Sequence, residues 1–317
     1  IVYSGASKGW TPISDDVVTD APVAPPTQKA IFAFGFVNAG SETNVSNLVS
    51  SNGTVGNDVT GVGTARTYFC GASYGSDKGI MAFGGALTGA NKTGVSNLIS
   101  NQGVVASDTS AVGTARLNPG AAGFGTTGQA IFAYGSSASG NSTIVNFISN
   151  SGVVASDSSG AGTARNNPEG ARYGVGLAIM AYGDTGSNTN ISNKISSSGV
   201  IASDTSGVGT ARTGLGGTSY GGDKAIFAYG TGDTNISNLV SNTGVVSSDV
   251  SGVGTARNNV AGTNYGGDLG LFGYGLSGST NQNMTNKVSN QGVVASDTTG
   301  VGTARVMPSA CGYSLSA

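Results

Sequence analysis

Histidine is missing from all 317 residues. Its absence removes His-based acid–base chemistry and most zinc and copper sites. Cysteine is nearly missing too. Cys70 and Cys311 are too few for a disulfide framework and form no CxxC pair, so both read as small buried residues. Charge is sparse, at 9% of residues with a net value of −2, which leaves no basic field for nucleic acid and no acidic tail. There are two glutamates, Glu42 and Glu169, and one tryptophan, Trp10. No apolar run approaches the roughly 20 residues of a membrane-spanning helix, so no membrane insertion is expected. No signal peptide is visible, and the chain opens on Ile1 rather than Met; we expect a processed or incomplete N-terminus.

Glycine is abundant, with 55 copies, and Ser, Thr and Asn fill much of the rest. Such a composition alone would suit a disordered chain, but a strict repeat argues otherwise. The decapeptide Ser203–Arg212, SDTSGVGTAR, returns in close variants ending at Arg66, Arg116, Arg165, Arg257 and Arg305. The intervals between the six arginines are 50, 49, 47, 45 and 48 residues, the period of solenoids and propellers. Within each period an apolar segment such as KAIFAYG (Lys224–Gly230) is followed by a half-polar one such as NISNLVS (Asn235–Ser241). Then come GVVASD or a variant, the GTAR joint, and a small-residue segment ending in an aromatic and Gly. These read as four short strands separated by turn residues, with no helical periodicity. The apolar strand is apolar on both faces, so it requires a sheet covered on both sides.

The order GTAR, about eight residues to YG, then KAIFAYG resembles the kelch-type β-propeller repeat. The Gly-Gly doublet of that family is mostly a single Gly here, and its outer-strand Trp is missing. The wording of the repeat also resembles kelch-like repeats in structural proteins of tailed-bacteriophage virions, over Lys29–Ala317. The resemblance implies an all-β fold of four-stranded antiparallel blades. From Lys29 the chain holds strands two to four of one blade, then five whole blades, then a lone inner strand at Val306–Ser314. That strand fits the first blade, giving a six-bladed ring closed by the C-terminal inner strand, without exposed sheet edges. Residues 1–28, with Pro12, Pro22, Pro25 and Pro26, read as an arm or linker. A degenerate seventh blade built on IVYSG is the alternative.

Length variation is concentrated in one loop, between the Gly closing the apolar strand and the next strand, where the insert runs from 4 to 9 residues. In a propeller all copies emerge on one face, and loops on rigid scaffolds carry recognition. The candidate ligand residues are therefore Phe36, Asn38, Glu42, Asn91, Lys92, Asn141, Asp184, Asn188, Asp233, Asn281 and Gln282. Their amides and hydroxyl-rich neighbours suit sugar hydroxyls, although Phe36 is the one aromatic platform among them.

The joint residues Asp58, Arg66, Asp108, Arg116, Asp157, Arg165, Asp204, Arg212, Asp249, Arg257, Asp297 and Arg305 are expected to be structural. The Asp carboxylate should accept N–H bonds of its own turn. The Arg fork should hold carbonyls, or the Asp of its own or a neighbouring blade. No catalytic residue is nominated. SDTSGVGT is only loosely similar to the sialidase box, out of register and without its Trp, and six of seven arginines belong to joints, leaving Arg172. A glycosidase pair would need both Glu42 and Glu169, which are not equivalently placed, and kelch-type copper oxidases need histidines. No cofactor or metal is expected, with structural calcium at Asp184, Asp233 or the repeated Asp left open.

The expectation is a non-enzymatic virion surface protein, a fibre, tail or head-decoration component present in multiple copies. Its loops would recognise host-surface glycans, and residues 1–28 would dock it to other virion proteins. The alternative is an interaction scaffold or inert decoration protein.

Overall fold

A computed structural model of the chain describes residues 2–3, 10–11, 28–37, 41–86 and 91–314. The protein is all-β: every regular element among these residues is a strand. Val2–Tyr3 pairs with Trp10–Thr11 in a short hairpin of its own. The rest of the expected arm lies outside the described residues, apart from Gln28, which already belongs to a strand.

Six antiparallel sheets follow one plan. The middle strand of each is the apolar segment of the repeat: Gln28–Val37, Lys78–Ala82, Gln129–Ala133, Leu177–Asp184, Lys224–Ala228 and Leu269–Ser277. On one side it pairs with the half-polar strand. On the other it pairs with the small-residue strand: Cys70–Tyr74, Gly120–Phe124, Glu169–Tyr173, Gly216–Tyr220 and Ala261–Tyr265 in the second to sixth sheets. For the first sheet that strand comes from the far end of the chain. Ser309–Ser314 pairs along Gln28–Ala33 in the register Ser309↔Ala33 to Ser314↔Gln28. A fourth edge is formed by the segment before each joint, through bridges such as Ser237↔Val250 and Val240↔Val246.

The core lies between sheets. In the first middle strand Ala30 to Phe34 are all fully buried. Successive side chains point to opposite faces, so Ile31 packs with Met81 and Ile99 of the second sheet while Phe32 packs with Leu271 and Tyr274 of the sixth. This explains the apolar character of both faces. One hydrophobic cluster lies between each pair of neighbouring sheets, including the sixth and the first. The first strands touch in the same cyclic order, Cys70–Tyr74 through Ala261–Tyr265 to Ser309–Ser314 and back to Cys70–Tyr74. They are built of small residues because they converge. A Cβ on Gly170 would come 2.1 Å from the Ala121 carbonyl oxygen, so no side chain fits there.

Candidate functional site

The joint is built from two neighbouring repeats at once. Arg212 is 1% exposed. Its Nε donates to the Tyr229 carbonyl at 2.7 Å, Nη1 to Thr210 O at 3.0 Å and Nη2 to Asn238 Oδ1 at 2.8 Å. Its Cζ lies 4.6 Å from the Tyr182 ring centroid, close enough for a cation–π contact. The ring belongs to the fourth sheet, and the Tyr229 carbonyl and Asn238 to the fifth, so the side chain ties the two together. Asn238 in turn donates to Asp249 Oδ1 at 2.9 Å, and Asp249 accepts from the Thr210 amide at 3.1 Å and hydroxyl at 2.6 Å. The Asp–Thr bond recurs at every joint, up to Asp58, which takes the amide and hydroxyl of Thr303.

The carbonyl-holding role expected of the arginines is what the geometry contains. The Asp differs from the expectation: its carboxylate serves the Thr of the neighbouring joint, some 40 residues earlier in five repeats and near the far end of the chain for Asp58, rather than its own turn. Arg and Asp approach within ion-pair distance only at Arg66–Asp108 (3.9 Å) and Arg257–Asp297 (3.8 Å) among the described residues. Partial burial works against ionisation of Asp249, but the bonds from Thr210 and Asn238 outweigh it and hold its carboxyl below the usual value. Burial pulls the guanidinium pKa values of Arg66 and Arg116 down to about 10, outweighing the opposing pull of Asp108 and Asp157, so they remain charged at neutral pH.

Two partners in this network were not singled out in the sequence. One is the Asn of the half-polar strand: Asn47, Asn97, Asn146, Asn193, Asn238 and Asn286, at most 1% exposed. Its signal was the constant 11-residue distance to the joint Asp. The other is the aromatic before the strand-closing Gly: Phe34, Phe83, Tyr134, Tyr182, Tyr229 and Tyr274. Each lies in the left-handed region, with φ between 58° and 67°, an uncommon conformation for a bulky residue. There the ring meets the arginine of its own sheet's joint, while the aromatic's carbonyl, in every case but Tyr134, accepts from the Nε of the preceding joint's arginine.

The variable loops lie beside the joints. Each loop bonds to the segment after an arginine, as Asn258 and Leu276 bond through both backbone groups. Consecutive loops are also laced to one another by residues expected to bind ligand. Lys92 Nζ donates to the carbonyls of Ser136 (3.2 Å) and Ser137 (2.7 Å). Asn141 Nδ2 donates to the Asp184 carbonyl at 2.9 Å, and Asn188 Nδ2 to Thr231 Oγ1 at 3.1 Å. Asp233 accepts from the Gly278 amide at 2.7 Å and from Asn258, while Asn281, 6% exposed, donates to the Phe36 carbonyl at 3.1 Å. Gln282 Nε2 turns back to Thr280 O at 3.0 Å. Asp184 Oδ1 caps the Gly186 amide at 2.6 Å. Asn38 lies outside the described residues.

The structure does bring two of the candidates together. Glu42 and Asn91, from the first and second loops, line one cavity of about 190 Å³ with Thr64, Thr93 and Val95. Further cavities lie where the first strands converge. At the loop end, one of about 70 Å³ holds Glu169, Asn118 and Asn167. Burial pushes the Glu169 carboxyl up to about 8 against a single bond from the Gly170 amide. At the opposite end, one of about 210 Å³ holds Arg172. Among the described residues no three His, Cys, Asp or Glu side chains gather as metal ligands, and no helix is long and apolar enough to cross a membrane. No family model matches the chain, and no curated protein is similar to it.

Proposed function

We propose that the chain is a six-bladed kelch-like β-propeller that acts without catalysis as a recognition protein of a virion surface, binding host-surface glycans through its loop-bearing face. Two features support the closed ring: the cyclic order of first-strand contacts, and one hydrophobic cluster per pair of neighbouring sheets. The virion setting rests on the resemblance of the repeat. Residues 1–28 are then the attachment to other virion proteins, and several copies share one assembly.

The observation that carries the recognition reading is the convergence of all the length-variable loops into one laced face with a cavity between two of them. Lacing holds the loops in place, so little ordering entropy is lost on binding. Glu42 and Asn91 offer an acceptor and an amide to sugar hydroxyls. The test is a screen of the full chain against an array of bacterial surface glycans, repeated with Glu42→Gln and Asn91→Ala. A specific hit lost in both variants is the expected result. A hit indifferent to both variants would move the site elsewhere, and no hit at all would leave the scaffold reading in its place.

A further inference from the structure

We infer that Arg172 marks a second binding site, at the end of the converging strands opposite the loops, which takes a single carboxylate such as that of an acidic sugar. The inference does not depend on the loop-face reading.

Position 172 is the one charged member of its set. The residue before the strand-closing aromatic is Ser73, Gly123, Arg172, Ser219, Asn264 or Gly312 in the six first strands. Packing at this position is satisfied by a small residue, so a structural demand does not account for an arginine in one copy of six. The neighbouring strand leaves room for it: a Cβ on Gly123 would come 3.1 Å from Arg172 Cδ.

The guanidinium is poorly partnered. Its one hydrogen bond among the described residues runs from Nη2 to the Gly125 carbonyl at 3.5 Å, leaving most of its five donors open. No described carboxylate lies within 4 Å of it. Burial alone pulls its pKa below the ordinary value, with no opposing charge to restore it. A partly buried charge without a counter-charge is costly. An anion entering the adjoining cavity of about 210 Å³ would complete it, and a planar fork matches a carboxylate in bidentate fashion.

The lining narrows the class of anion. Asp268 shares the cavity, so a dianion would be repelled more than a monoanion. Asp223, next to the lining residue Gly222, is already held by Lys224 at 2.9 Å and Asn242 at 3.1 Å. Gln28 and Asn264 line the same space and supply amides for hydroxyl groups. The volume is below that of a drug-sized pocket and suits one sugar ring.

The test is calorimetric titration of the full chain at low ionic strength with sodium glucuronate, glucose and inorganic phosphate. Binding of glucuronate, not of glucose, and more weakly of phosphate is expected. Arg172→Gln should weaken glucuronate by about tenfold to a hundredfold, as loss of a charge-assisted pair does. Asp268→Asn, which keeps the arginine and the fold, should tighten it. Equal binding of glucose, preference for phosphate, weaker binding in Asp268→Asn, or no binding of glucuronate would each overturn the assignment. If Arg172→Gln fails to fold, the Asp268→Asn result decides.

Discussion

Replacing Arg212 by Met removes the fork that joins the fourth and fifth sheets while keeping an apolar stem of similar length. Three acceptors lose their donor: the carbonyls of Tyr229 and Thr210, and Asn238 Oδ1. Each buried group left unpaired costs about 1–3 kcal/mol, and the contact with the Tyr182 ring is lost as well. Against this, the cost of burying a charge disappears, so the net loss falls at the lower end, about 3–5 kcal/mol. With an unfolding entropy of about 2.1 cal/mol/K per residue, a chain of 317 residues should melt about 5–8 °C lower in calorimetry.

The molecule contains its own control. Arg116 bonds only Thr114 O at 3.2 Å and Phe132 O at 3.4 Å, and both its Nε and the Asn146 Oδ1 atom are already unpaired. Arg116→Met should therefore cost about 1–2 kcal/mol less, since fewer acceptors are newly orphaned. Equal losses at the two sites, or an unchanged melting temperature for Arg212→Met, would refute the hydrogen-bond account of the joint.

Other outcomes follow from the same geometry. The carboxyl of Glu169 titrates near 8 in the folded protein and near 4.3 when unfolded. The folded state therefore holds the extra proton between these values, and stability falls as pH rises through that window. Glu169→Gln should raise the melting temperature at pH 9 and leave it nearly unchanged at pH 4. The joint carboxyls run the other way: their lowered values mean that the stability they add is present above the ordinary Asp value and is lost as pH falls through the folded one. Acid melting below about pH 4 should shift upward in pH when Asp249→Asn replaces one of them. Gly244 has φ of 73°, and a Cβ there would stand 2.6 Å from the Tyr173 ring; Gly244→Ala should destabilise by about 2–4 kcal/mol in denaturant titration. The six joint arginines are at most 1% exposed, so trypsin should leave the folded chain uncut at these positions, and rapid cleavage there would contradict their packing.

Much of the architecture was legible because the repeat states it six times. Apolar residues on both faces of KAIFAYG required cover from two sides, and Phe32 and Ile31 do face different sheets. The orphan strand at the C-terminus was legible from counting, and Ser309–Ser314 completes the first sheet. The less legible features connect residues distant in sequence. The Asp looked like a local turn residue because Thr or Ser and Gly follow it in most copies; its Thr donor comes from the neighbouring joint, a distance that no local pattern encodes. The left-handed aromatics escaped notice because their type suggests ordinary strand residues, and only the bulge before Gly35, Gly183 and Gly275 shows the backbone turning there. Loop polarity suggested ligand contacts, yet Lys92, Asn141 and Asn281 spend their donors on the next loop. Arg172 stood out in the sequence only by exclusion from the joints, and its cavity needed the converging strands to exist.

The central claim is that the chain closes on itself through its last strand, and amide hydrogen exchange of the native protein tests it without perturbation. The amides of Ser309–Ser314 that bond to the Gln28–Ala33 segment should exchange as slowly as those of Gly216–Tyr220, the equivalent strand of the fifth sheet, whose partner Lys224–Ala228 is adjacent in sequence. Exchange in Ser309–Ser314 at the rate of a frayed chain end, with Gly216–Tyr220 still protected, would contradict closure.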